Sequence, residues 1–85
     1  MEPQDYRKDA SLYFSKRAGA KHKSLTFRHF GRAADAILYA VEELSPKSFD
    51  SCSLEVNGLY FFGRQIRPLY DSADFPLKRR SKRVD

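Results

Sequence analysis

Cys52 is the only cysteine among 85 residues, and His22 and His29 are the only histidines. A thiol beside an imidazole is the usual starting point for nucleophilic chemistry, provided that something orients the base. His29 is the base that a sheet could bring towards Cys52, but no further motif fixes such a pair. The two histidines lie seven residues apart with Cys52 distant, a spacing unlike that of a metal centre. One cysteine excludes an internal disulfide and an all-cysteine cage within a single chain. Carboxylate chemistry fares no better. Glu42-Glu43 falls at the end of a helical pattern, where a solvated face explains it, and Asp71 with Asp74 reads as turn and capping chemistry. The four glycines are isolated, so there is no phosphate-cradling loop. No catalytic, cofactor-binding or metal residue is therefore assigned, and the chain is expected not to be an enzyme.

Charge offers more. Lys16, Arg17, Lys21, Lys23 and Arg28 are interleaved with Tyr13, Phe14, Phe27 and Phe30. Cations among aromatics suit a phosphate backbone with bases stacked beside it. The plainer explanation is that Phe14 and Phe27 are core and the cations keep a hairpin edge soluble. A second cluster, Lys78, Arg79, Arg80, Lys82 and Arg83, gives residues 78–85 a balance of +4 out of the total of +5. Such a tail can grip phosphates without sequence preference, or simply be solvated. Residues 7–32 hold eight basic side chains against Asp9 alone, whereas residues 33–77 balance at −4. Opposed charge along one chain also favours weak self-association.

The elements that must position these residues start with a hairpin. Asn57-Gly58 between two apolar runs is the strongest local signal for a two-residue type I′ turn. Its register sets Val56 against Leu59, Leu54 against Phe61 and Cys52 against Gly63. Cys52 then points inward, while Tyr60 and Phe62 fall on the outer face. A second hairpin is predicted about Gly19-Ala20, which would place Phe14 opposite Leu25 and Leu12 opposite Phe27, all in the core. Between the hairpins, Ala33, Ile37, Ala40, Val41 and Leu44 recur at helical spacing over residues 32–44, with Tyr39 on the opposite side. Ser45-Pro46 is expected to end that helix. Ile66, Leu69 and Tyr70 suggest a short helix over 64–72, with Pro68 tolerable only in its first turn. Phe75 and Leu77 are placed to dock as a strap.

The order β-β-α-β-β, with a short terminal helix, predicts an α+β domain over residues 1–77. Its antiparallel sheet has about four strands, with the long helix on one face. Residues 1–9 are expected to be a poorly ordered lead-in, and 78–85 a disordered basic tail. An echo of Ser24-Leu-Thr-Phe, Phe30-Gly-Arg and Leu38-Tyr39 in Ser53-Leu-Glu-Val, Phe62-Gly-Arg and Leu69-Tyr70 would fit two ββα units. No run approaches the apolar length of a membrane span, and the first residues do not form a signal peptide. A reducing, cytoplasmic location is the expectation.

Ala34-Asp-Ala-Ile-Leu-Tyr-Ala-Val-Glu-Glu-Leu44, Leu54-Glu-Val-Asn-Gly58, Ile66-Arg-Pro-Leu-Tyr-Asp-Ser72 and Asp74-Phe-Pro-Leu77 together resemble a group of short α-proteobacterial proteins of unassigned function. The resemblance spans about half the chain. It implies a bacterial cytoplasmic origin and carries no functional residue across. The sequence thus points to a non-enzymatic protein-interaction or adaptor module, with Tyr39, Tyr60 and Phe62 as its exposed aromatics and a weak homodimer among its partners. The alternative is a sequence-tolerant nucleic-acid binder using the basic amino-terminal hairpin and the tail. Neither reading involves a membrane, a metal or a cofactor.

Overall fold

Asn57 and Gly58 both adopt positive φ, 53° and 83°, the conformation that a type I′ turn demands of its two central residues. The computed structural model describes residues 1–17 and 23–77. It contains strands β1 (Ala10–Arg17), β2 (Lys23–Phe30), β3 (Ser53–Val56) and β4 (Leu59–Phe62), and helices α1 (Ala33–Glu42), α2 (Pro46–Ser51) and α3 (Ile66–Asp71), with 3-10 turns at Pro3–Arg7 and Gly63–Gln65. The strands form one antiparallel sheet in the order β2-β1-β3-β4. The class is α+β.

β1 and β3 pair at the centre, Leu12 against Leu54 and Ala10 against Val56. Each hairpin runs through a Phe-Gly-Arg junction towards a helix, so β1-β2-α1 and β3-β4-α3 are two ββα units joined strand to strand. The helices share one core with the inner sheet face: Ala10, Leu12, Phe14, Leu54 and Val56 pack with Ala33, Ala34, Ala36, Ile37 and Ala40. Small alanines on α1 let its axis approach the sheet closely, which is why that stripe needs few large residues.

The β3–β4 register is as predicted, Val56 to Leu59 and Leu54 to Phe61, and the Gly63 N–H donates to the Cys52 carbonyl at 3.0 Å. Leu59 nonetheless lies exposed on the outermost strand, and Phe61 is only partly buried. Gly63 is required there, because a Cβ would stand 2.5 Å from the Asp50 carbonyl oxygen at the end of α2.

The β1–β2 register departs from expectation by one residue. Phe14 pairs with Thr26 and Leu12 with Arg28, whereas Leu25 faces Ser15 and Phe27 faces Tyr13. The outermost pair, Arg17 with Lys23, leaves five intervening residues rather than the spacing of a two-residue turn; the predicted Gly19-Ala20 turn lies outside the described residues. Because side chains alternate with period two, one step of register carries a whole strand's pattern to the other face. Leu25 and Phe27, expected in the core, therefore stand on the outer face, 75% and 56% exposed.

Three helical features also differ. α1 starts one residue later than predicted and ends at Glu42, and its Arg32 cap forms a two-pronged ion pair with Asp35 at 3.0 and 3.1 Å. That carboxylate in the first turn offsets a cation at the unfavourable end of the helix dipole. Ser45-Pro46, expected only as a stop, begins α2: the Ser48 N–H donates to Ser45 Oγ at 3.3 Å with proline at the first position. A serine cap followed by proline starts a helix as readily as it follows one. The predicted terminal helix divides into a 3-10 turn and α3, with Pro68 third in α3, where its missing donor costs nothing.

The amino terminus is the largest correction. Residues 3–7 form a 3-10 turn in place of a disordered lead-in, and Tyr6 is 1% exposed. Its hydroxyl donates to the Leu69 carbonyl at 3.0 Å, and its ring meets Phe75 edge-on with centroids 5.9 Å apart. Phe75 in turn packs against Tyr70, whose hydroxyl donates to Glu42 Oε2 at 2.6 Å. Both ends of the described chain thus close on α3. The strap docks through buried Phe75 and partly buried Leu77, as predicted.

Candidate functional site

The helices cover one side of the sheet, and the other side is where exposed aromatics collect. The pairings place Phe27, Tyr13, Ser53 and Phe62 in one row across all four strands, and His29, Ser11, Glu55 and Tyr60 in the next. Cross-strand partners share a face, so this face carries Ser11, Tyr13, Ser53 and Glu55 on its central strands and Phe27, Tyr60 and Phe62 on its edge strands. Tyr60 is 54% exposed and Phe62 58%. Their rings are nearly parallel, 12° apart, with centroids separated by 6.3 Å. Tyr13 and Phe27 form a second, tilted pair at 5.2 Å. Leu25 extends the apolar surface on β2 beyond that row.

Tyr39 does not belong to this surface. It is half-buried on the helix side, with ring contacts to Phe14 and Phe30 at 5.9 and 5.7 Å. Arg28, read from sequence as a phosphate contact, lies over the rings of Tyr39 and Phe30, 4.7 and 5.3 Å from their centroids. A guanidinium stacked on two rings caps the edge of the core and is favourable in its own right. The register shift explains this placement, since it brings Arg28 opposite Leu12 on the inner face. Lys16 and Arg17 end β1 and Lys23 begins β2, in pairs with Ser24 and with each other. Lys21, Lys78, Arg79, Arg80, Lys82 and Arg83 lie outside the described residues.

Cys52 and His29 are not brought together. Cys52 is buried in the core, and burial pushes its thiol up to about 11, the state of an inert rather than a nucleophilic cysteine. His29 sits on the outer face with Nε2 3.7 Å from Asp9 Oδ2. Among the described residues no three His, Cys, Asp or Glu side chains are grouped to hold a metal. A cavity of about 330 Å³ lies against Phe14, Tyr39 and Glu43, and two of the serines that line it serve the fold. Ser45 caps α2, and Ser48 Oγ donates to the Ser15 carbonyl at 2.8 Å. Asp71, expected to serve turn or capping chemistry, instead pairs with Arg67 at 3.3 Å, and the Asp74 backbone N–H donates to Ser72 Oγ at 3.1 Å in the turn that follows α3.

The outer-face role of Phe27 and Leu25 was masked by the assumed turn length. The available signal was the competing alternation of Thr26, Arg28 and Phe30 on the same strand. Among the described residues no helix is long and apolar enough to cross a membrane. No protein-family model, curated protein or solved structure matches the chain.

Proposed function

We propose that this chain is a small non-enzymatic interaction module that works through the open face of its sheet. The observation that carries the reading is the exposure of Phe27, Tyr60, Phe62 and Leu25 on the side away from the helices. Soluble domains seldom leave several large apolar side chains together in water unless something binds there. The exposed rings are spread across strands of one sheet face rather than gathered in a cleft around a polar group, which suits a macromolecule better than a small substrate. The bacterial cytoplasmic setting implied by the sequence resemblance belongs to the same proposal.

The test is affinity capture from the source cell, with and without nuclease, using the intact chain and a Phe27→Ser/Phe62→Ser variant. Both side chains are more than half exposed, so the variant should keep the parent's thermal unfolding midpoint. A partner held by the intact chain and lost by the variant supports the reading. Identical partners for both would overturn it.

A further inference from the structure

Resting on the open face as the working surface, we propose that its occupant is a single-stranded nucleic acid whose bases stack on the ring pairs. Tyr60 and Phe62 stand nearly parallel with centroids 6.3 Å apart, and both are more than half exposed. Each ring presents an exposed flat surface on which a base can stack. The second pair, Tyr13 and Phe27, stands in the same row as Phe62, with Tyr13 two strand spacings, about 10 Å, away. Single-strand binders use such separated stacking platforms, because every base has an aromatic face whatever the sequence.

The floor between the platforms separates this occupant from a protein. On this face the central strands carry Ser11, Tyr13 and Ser15 on β1 and Ser53 and Glu55 on β3, so the centre offers hydroxyls and one ring and no aliphatic anchor. Hydroxyls can bond to sugars and base edges, whereas the buried centre of a protein interface is usually apolar. Charge complementarity gives a direction as well. Arg17 and Lys23 form the outermost pair of the β1–β2 ladder, beyond the Tyr13–Phe27 row. Among the described residues the carboxylates at the face, Glu55 paired with Tyr60 and the Asp9 that meets His29, lie on the other side of the Tyr13–Phe27 row from Arg17 and Lys23. A phosphate backbone is therefore drawn to the hairpin end, with its bases laid across the aromatic row.

The experiment is a fluorescence-anisotropy titration of the full chain against labelled single-stranded DNA and RNA of about ten nucleotides and a duplex of the same length. Single strands should bind more tightly than duplex, and their affinity should fall steeply with salt. Tyr60→Ala, Phe62→Ala and Phe27→Ala should each weaken binding by roughly five- to 150-fold. Tyr60→Phe and Phe62→Tyr should bind like the parent. Removing residues 78–85 should flatten the salt dependence while leaving the ring variants' deficit in place. The inference is overturned if duplex binds as tightly as single strand, or if the ring variants bind normally and only the tail deletion fails. Absence of any binding at low salt also overturns it. In that event, a protein lost by Phe27→Ser/Phe62→Ser in the capture experiment would leave the open-face reading intact, and no such protein would remove both.

Discussion

Replacing Tyr6 tests the least expected part of this fold, because the residue lies in a segment whose composition reads as a loose end. Its side chain is 1% exposed and its hydroxyl is the donor to the Leu69 carbonyl in the last turn of α3. Tyr6→Phe keeps the ring against Phe75 and removes only that donor. A buried carbonyl stripped of its partner costs about 1–2 kcal/mol. For a domain of this size, that lowers the thermal midpoint by on the order of 10 °C. Tyr6→Ala also opens a cavity among Tyr70, Phe75 and α3, and large aromatic truncations cost about 3–5 kcal/mol. That is a substantial share of the roughly 5–15 kcal/mol that holds a domain together. Thermal and urea unfolding followed by circular dichroism would measure both. Deleting residues 1–8 should destabilise at least as much as Tyr6→Ala. If the alanine variant and the deletion each cost less than about 1 kcal/mol, the amino-terminal clasp on α3 is refuted.

The same unfolding measurements separate the two faces of the sheet: Phe14→Ala should cost about 3–5 kcal/mol, and Phe27→Ala less than about 1 kcal/mol. Similar losses for the two would restore the register with Phe27 in the core. Gly63→Ala should destabilise by about 1–3 kcal/mol because its methyl group meets the Asp50 carbonyl backbone, while Gly31→Ala, which points into open space, should stay within about 0.5 kcal/mol. For Cys52, burial raises the folded thiol from 9.0 to about 11. Above pH 9 the unfolded chain then releases a proton that the folded chain retains, so stability falls as pH rises from 9 towards 11. Cys52→Ala should lack that component of the pH dependence, and native Cys52 should react with thiol reagents far more slowly than the urea-unfolded chain.

What the sequence revealed follows the range of the interactions involved. Asn57-Gly58 sets its hairpin by local backbone preference, and both the turn and its register appear as read. The first hairpin offers two alternations on one strand, Leu25 with Phe27 against Arg28 with Phe30. Choosing between them depended on a loop length that composition does not fix. That single step decided whether Phe27 was core or surface, and with it half of the candidate site. Tyr60 and Phe62 were legible because their turn was. Tyr39 was not, since its rings are supplied by β1 and β2, and Arg28 moved to the inner face with the same register step. Tyr6 was hidden for a different reason. Its hydrogen-bond acceptor lies 63 residues away, and no local pattern signals a partner so distant in the chain.

The open aromatic face can be examined directly by following backbone amide resonances of the isotopically labelled chain while a short single-stranded oligonucleotide is added. We expect the shifted amides to cluster on the strands that carry Ser11, Tyr13, Phe27, Ser53, Tyr60 and Phe62, with α1 and α2 unmoved. Shifts confined to the helix side, or to residues 78–85 alone, would contradict the assignment of this face as the working surface for that ligand.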